Sequence, residues 1–242
     1  MSNTRMRKPQ VARNSRNDGQ NDASKEAADA DTRARVIAAS LALFNRDRER
    51  HVTTNHIVAH LGIGPGNLYY YFRNKEEIIF EIYLRLEKEF LACLALPRGR
   101  SLSLEDIATY LHGIFEILWR YRFFFHELPS LVERIPAVRA RYAGLVDKAL
   151  ACTRSIYRGL AQEGIMEATP EQVEMLAKNS WIVTVYWFTF LETRGGRETI
   201  TQEDSRQGIL QLVALFYPYL RPPAQRFVDR AIGPALESAS SS

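Results

Sequence analysis

Tyr69, Tyr70 and Tyr71, with Asn67 just before them and Lys75 just after, set three phenols, a carboxamide and an ammonium close together. Such groups hydrogen-bond phosphate oxygens and base edges. None of them forms a nucleophile–base pair of the kind covalent catalysis needs. The run Gly62-Ile63-Gly64-Pro65-Gly66 precedes them. Gly66 has no side chain to hold the backbone away from a phosphate. A nucleotide-binding loop would need a Gly-Lys-Ser/Thr ending and a preceding strand, and this run has neither.

These groups need short, well-anchored elements. Gly62 is placed to end one helix, and Pro65 to start the next, where its missing N–H costs nothing. A helix from Gly64 to Tyr71 is too short to persist alone in water, so neighbours must hold it. Leu68 and Phe72, at i and i+4, are its inward anchors and leave Asn67, Tyr70 and Tyr71 outward. Three consecutive residues span about 200° of a helix, so the tyrosines cannot all face inward. Core packing stays open for any one of them, Tyr69 above all. Upstream, Thr53 or Thr54 caps a helix carrying Ile57, Val58 and Leu61, which puts Thr53, Thr54 and Asn55 at its exposed start. An earlier helix begins at Asp31 or Thr32, with Ile37, Leu41 and Phe44 as its core stripe. Asn74 caps a fourth helix, with Glu76 and Glu77 in its first turn and Lys75 adding charge to its positive end. Its apolar residues run from Ile78 to Leu94.

The net charge of +4 is unevenly spread. Residues 32–75 hold seven Arg/Lys against two acids, whereas residues 76–242 hold nineteen against twenty-one. The motif therefore lies in the one clearly basic block, which suits an anionic partner; a solvated basic face is the plain alternative. Two cysteines, Cys93 and Cys152, make no disulfide framework, and the chain fits a reducing, cytoplasmic setting. No apolar run reaches the length of a membrane span, so no membrane partner is expected. No His/Cys/Asp/Glu set has metal-ligand spacing, and neither metal, cofactor nor catalytic residues are expected. An α-helical enzyme would need such a set, and a membrane-surface protein a basic amphipathic helix.

The fold class expected is all-α: about nine helices, with an N-terminal three-helix unit and a larger helical domain. Residues 1–31 are polar and read as a disordered tail, with Arg5, Arg7, Lys8, Arg13 and Arg16 free for loose phosphate contacts. The three-helix unit covers 32–77, the larger domain 78–220, and a C-terminal tail 221–242, with Ser238 to Ser242 disordered. Helices follow over Leu104–Tyr121, Phe123–Glu133 with breaks at Pro129 and Pro136, Ala137–Glu163, Pro170–Thr193 stopping at Gly195-Gly196, and Thr201 to near Pro218. Aromatic density suggests an apolar ligand site. Its expected residues are His112, Phe115, Trp119, Phe123, His126, Trp181 and Tyr186, and a well-filled core is the alternative for each. The last two of these helices carry stripes suited to self-association, with burial of these faces within one chain as the alternative: Trp181, Val185 and Phe188 on one, Leu210, Val213, Phe216 and Tyr217 on the other.

Val36 to Phe44, Thr53-Thr54 with Ile57, Leu61-Gly62-Ile63, Gly66 to Phe72 and Lys75-Glu76 together resemble the DNA-binding domain of the TetR family of bacterial transcriptional regulators. The resemblance covers about 32–80 without a gap. It implies a helix-turn-helix protein, not an enzyme. It also implies a homodimer joined through its final helix pair, a double-stranded DNA operator with two half-sites, and a repressor released by a small, apolar or aromatic effector. The positions matching the family's DNA-facing ones are Thr54, Asn55, Pro65, Gly66, Asn67, Tyr69, Tyr70, Tyr71 and Lys75. Tyr71 stands where the family often has histidine, Gly64 where it often has a serine cap, and Arg48 where a loop glycine is common.

Overall fold

A computed structural model describes residues 15–195 and 201–239. Its regular structure is eleven α-helices, with no strand among the described residues, which agrees with the all-α reading of about nine.

The first helix, α1, spans Ser15–Asp47 and so begins well before the cap expected at Asp31. The Ala-, Glu- and Lys-bearing stretch around 23–30 favours continued helix. Two side-chain ties then hold this part of α1. The Tyr71 hydroxyl donates to Asp29 Oδ1 at 2.7 Å, and Arg33 pairs with Glu81 at 2.6 Å. Arg5, Arg7, Lys8 and Arg13 lie outside the described residues.

A 3-10 turn at Glu49–His51 leads into α2, Thr54–Leu61. Thr53 caps it with a reciprocal pair: its hydroxyl accepts from the His56 amide and the His56 imidazole accepts from its own amide. Gly62 closes α2 at φ 65°, a left-handed conformation that glycine takes without strain. Pro65 opens α3, Pro65–Tyr71. Ile37 and Phe44 of α1, Ile57 of α2, and Leu68 and Phe72 at α3 are buried together, and Leu41 is half-buried at the edge.

α4, Lys75–Cys93, is capped by the Asn74 side chain and buries Ile78, Ile79, Ile82, Leu86 and Phe90. It packs on α1 at one side and on the larger domain at the other. α5, Leu104–Arg120, starts from a Ser103/Asp106 capping box. The expected aromatic helix over 123–133 is two short ones, α6 at Arg122–His126 and α7 at Leu128–Arg134. Pro129 and Pro136 lie in the first turns of α7 and of α8, Pro136–Gln162, where proline starts helices rather than breaks them. α9 covers Pro170–Gly195 and packs on α6, α8 and α10, Gln202–Phe216. Gly196 lies outside the described residues.

The region expected as a C-terminal tail carries α11, Pro222–Ala239. The Pro222-Pro223 pair again starts a helix, and Ala224 and Val228 are buried against the rest. Backbone bonds from Glu167 to Tyr219 and from Arg221 to Ile165 tie its entrance to the α8–α9 connection. Residues 240–242 of the expected disordered end lie outside the described residues.

Candidate nucleic-acid interface and internal cavities

The surface of α3 follows from which of its residues are anchored. Leu68 is 0% exposed and Phe72 2%. With those two inside, Tyr70 is 69% exposed and Tyr69 50%, while Pro65, Gly66 and Asn67 are exposed as well. A Cβ added at Gly66 would meet nothing within 4 Å, so this part of the backbone is open to a close approach. Thr53 and Asn55 are exposed at the start of α2, and half-buried Thr54 shares a hydrogen bond of 3.2 Å with the Tyr69 hydroxyl. That contact joins α2 to α3 and orients Tyr69. The arrangement presents hydroxyls, an amide and bare backbone on one exposed surface, the chemistry that phosphates and base edges bond.

Two of the expected contact residues have other partners. Tyr71 is half-buried, with its hydroxyl on Asp29 and its ring edge against Tyr70 at 4.9 Å. The Asp29 carboxylate pushes the Tyr71 phenol pKa up. The Lys75 ammonium donates to Glu49 O and Val52 O at 3.0 Å each and lies 2.8 Å from Glu49 Oε1. Two of the ammonium's three donors are thus spent on backbone carbonyls inside the protein, beside a buried carboxylate, which fastens the α1–α2 connection. Arg73, which the sequence reading counted only as charge, has a side chain 90% exposed beside Thr53, Thr54 and Tyr69. Its place just after the α3 anchor Phe72 was the available signal.

No curated protein sequence matches this chain. Two family profiles do. Residues 36–82 match the one described as bacterial regulatory proteins, tetR family, and residues 85–227 the one described as bacterial transcriptional repressor, TetR. A TetR-family regulator from Marinobacter aquaeolei VT8 is 40% identical, with a TM-score of 0.75 over 81% of this chain and 94% of its own. The chain belongs to the TetR family of bacterial transcriptional regulators. Regulators of this family bind DNA and are not enzymes. A regulator from Saccharomonospora viridis, solved in complex with choline, shares the fold at 16% identity and a TM-score of 0.60, over 76% of this chain and 96% of its own. One from Haloarcula marismortui shares it at 11% and 0.61, over 79% of this chain and 100% of its own.

The larger domain of this TetR-family chain holds an apolar cavity of about 80 Å³ between α4, α5, α8, α9 and α10. Phe90, Tyr110, Ile114, Ile156, Trp181 and Phe216 supply much of its wall, and no charged side chain lines it. Its polar handle is the Tyr157 hydroxyl against Ser180 Oγ at 2.7 Å, with Thr184 nearby. Of the seven expected ligand residues, only Trp181 is in this wall. His112 is exposed and lines a separate pocket of about 160 Å³ with Phe115 and Trp119. Phe115 is buried where α10 crosses α5, and a Cβ at Gly208 would collide with its ring. Trp119 lies under the Arg122 guanidinium at 4.4 Å. Tyr186 is 45% exposed on the outside of α9. The sequence spacing placed aromatic residues on shared faces without saying which face meets the cavity. Among the described residues no His/Cys/Asp/Glu group could hold a metal, and no helix is long and apolar enough to cross a membrane.

Phe123 and His126 line a second, polar cavity of about 280 Å³ where the helix-turn-helix unit meets the larger domain. Phe44, Asn45, Arg48 and Glu49 face it from one side, and Arg122 and Glu192 from the other. Burial lowers the His126 pKa against the pull of the Glu192 carboxylate 2.6 Å from Nδ1. Beside this cavity, Glu49 is 2% exposed and joins three elements. Lys75 and Arg134 each stand 2.8 Å from one of its oxygens, and Arg134 also reaches Glu76 at 2.9 Å. Removing one partner of a buried ion pair strands the others. Glu49→Ala is therefore expected to cost about 3 kcal/mol, the scale of a broken buried pair. Urea denaturation checks it, and a loss comparable to that of an exposed acid on the same surface contradicts it.

Proposed function

We propose that this regulator is a homodimeric repressor that leaves a two-half-site operator when a small, uncharged, lipophilic effector enters the apolar cavity. The observation that carries the DNA part is the exposed row of α3 on its buried anchors, inside the one strongly basic block of the chain. Asn67 reads a base edge, and Tyr69 and Tyr70 bond phosphates together with Thr53, Thr54 and Asn55. Pro65 and Gly66 let the backbone approach. Arg73 adds a phosphate contact, while Tyr71 and Lys75 hold the unit together from behind. Operator DNA places the working protein in the cytoplasm.

The dimer reading changes residues but not helices. Val185, Phe188, Val213 and Phe216, expected to face a mate, are buried within one chain, and Leu210 and half-buried Trp181 also pack inside. Met175, Ile182, Tyr186 and Phe190 are instead exposed, at spacings of seven, four and four along α9. Those intervals put them on one face of the helix. A contiguous apolar row on a soluble surface is a liability unless something covers it. A second copy, meeting α9 with α9 and α10, covers it symmetrically.

The effector class follows from the cavity wall. Burying an unpaired charge among such residues is costly. Tyr157 and Ser180 can bond one hydroxyl or carbonyl, so the ligand is an apolar body with one neutral polar end.

Three measurements test this reading. Fluorescence anisotropy with DNA from upstream of the chain's own gene should show saturable binding that weakens steeply with salt. Asn67→Ala should cost about 1–3 kcal/mol and relax base preference, whereas Tyr70→Phe should weaken binding to all sequences alike. Binding that is non-saturable, or indifferent to both changes, contradicts the assignment. In sedimentation, the unaltered chain should run as a dimer and Ile182→Glu as a monomer of unchanged helicity; a dimer in both cases moves the interface elsewhere. Finally, 1-octanol should raise Tm and lower operator affinity, with octanoate weaker because no cation lines the wall. Equal or stronger action of octanoate contradicts the neutral-effector class.

A further inference from the structure

Arg48 is the one non-glycine residue with positive φ among the described residues, at φ 65° and ψ 137°. An L side chain is strained there and glycine is not. Such strain persists only where the surroundings over-determine it, and it gathers at switch regions and other functional sites. The side chain gives the reason for keeping arginine. Its Nη2 lies 2.7 Å from Glu192 Oε1, 144 positions further along the chain. The other Glu192 oxygen is held by His126 Nδ1 at 2.6 Å. The His126 ring lies parallel to that of buried Phe188, with centroids 6.2 Å apart. Glu192 is thus fixed from both sides, and a strained backbone is fixed to it. An ordinary surface ion pair contributes little to stability and would not by itself justify the strain.

The two ends of this contact belong to different tasks. Glu192 is on α9, the helix that carries Ser180, Trp181 and Thr184 of the apolar cavity wall. Eight residues of helix separate Thr184 from Glu192, a rigid arm of about 12 Å. At the other end, Arg48 precedes the 3-10 turn Glu49–His51 and, a few residues on, Thr53, the cap of α2. The same short connection is stapled to α4 through Lys75 on Glu49 O and Val52 O. Movement of the connection therefore acts on α2, on α3 packed on it and on the start of α4, with respect to α9.

We propose that the Arg48–Glu192–His126 cluster is the link through which occupancy of the apolar cavity reaches the helix-turn-helix. The proposal rests on the effector-responsive reading above and names its coupling residues. A ligand that displaces Ser180, Trp181 and Thr184 shifts α9 along or about its axis. Glu192 then leaves Arg48. The strained backbone at Arg48 then loses its tie to α9 and keeps only its fastening to α4 through Lys75, the α1–α2 connection relaxes, and the recognition helix loses its fixed presentation. Interaction through two discrete arrangements of a packed helix is how such signals cross a domain.

A double-mutant cycle on operator binding, read beside hydrogen exchange, tests the link. Glu192→Gln and Arg48→Gly each cut the tie, and glycine at 48 keeps the same backbone conformation without strain. Each change should weaken operator binding about tenfold, and the double variant no more than either, because both remove one shared interaction. Amides 49–55 should exchange at least about fivefold faster in all three variants. Ser180→Leu, which crowds the cavity wall, should speed the same amides in the otherwise unaltered chain but not in the Glu192→Gln background. Additive losses in the double variant, or amides 49–55 that exchange as in the unaltered chain, overturn the link. So does an equal response to Ser180→Leu in both backgrounds. If the unaltered chain fails to bind operator DNA, the proposed function falls, while the exchange comparisons still decide whether Glu192 fastens the connection.

Discussion

Everything on the DNA-facing side depends on the burial of Leu68 and Phe72. A seven-residue helix has almost no stability of its own. Those two side chains pin α3 into the buried core beside α2, and their spacing fixes the rotation of the helix about its axis. That rotation decides that Asn67 and Tyr70 face out while Tyr71 turns back towards Asp29. The polar surface is thus a consequence of the apolar one. Each large aliphatic or aromatic side chain buried in this way contributes about 1.5–3 kcal/mol, which exceeds what any single exposed hydrogen bond of α3 could supply to hold it.

The second constraint is electrostatic and lies between the two units. Glu49, nearly without solvent, gathers Lys75 and Arg134, while Glu192 gathers Arg48 and His126. One knot joins the α1–α2 connection to α4 and α7, the other joins it to α6 and α9. Buried charges of this kind fix geometry more than they add stability. They attach the helix-turn-helix to the larger domain at defined points, beside the apolar contact of Phe44 with Phe123. The basic residues of the block are accordingly divided. The Arg73 side chain stays 90% exposed, 3.9 Å from Glu77, while Arg48 and Lys75 are tied up inside the protein.

The local features were legible in the sequence because their causes are local. Thr53, Gly62, Pro65 and Asn74 mark helix ends through their own side chains or backbone freedom, and each sits where its chemistry indicated. The inward pair Leu68 and Phe72 was legible for the same reason. The prolines at 129, 136 and 222 were harder, since proline ends one helix and starts another with equal ease. The cavity was least legible. Trp181 belongs to it, but Tyr186, on the same helix, faces outward, and Phe115 fills the crossing of α5 and α10. Which aromatic face meets empty space depends on how five helices pack, and no single helix encodes that. The knots around Glu49 and Glu192 join residues far apart in sequence and were invisible for the same reason.

On the proposed function, α3 is the reading element of a two-fold symmetric protein. Hydroxyl-radical footprinting of the complex with DNA from upstream of the chain's own gene tests this most directly. It should show two equally protected segments separated, centre to centre, by one or more whole helical turns of about 10–10.5 base pairs, with Asn67→Ala erasing the pattern in both. A single protected segment, or a pair that persists unchanged in Asn67→Ala, would contradict it.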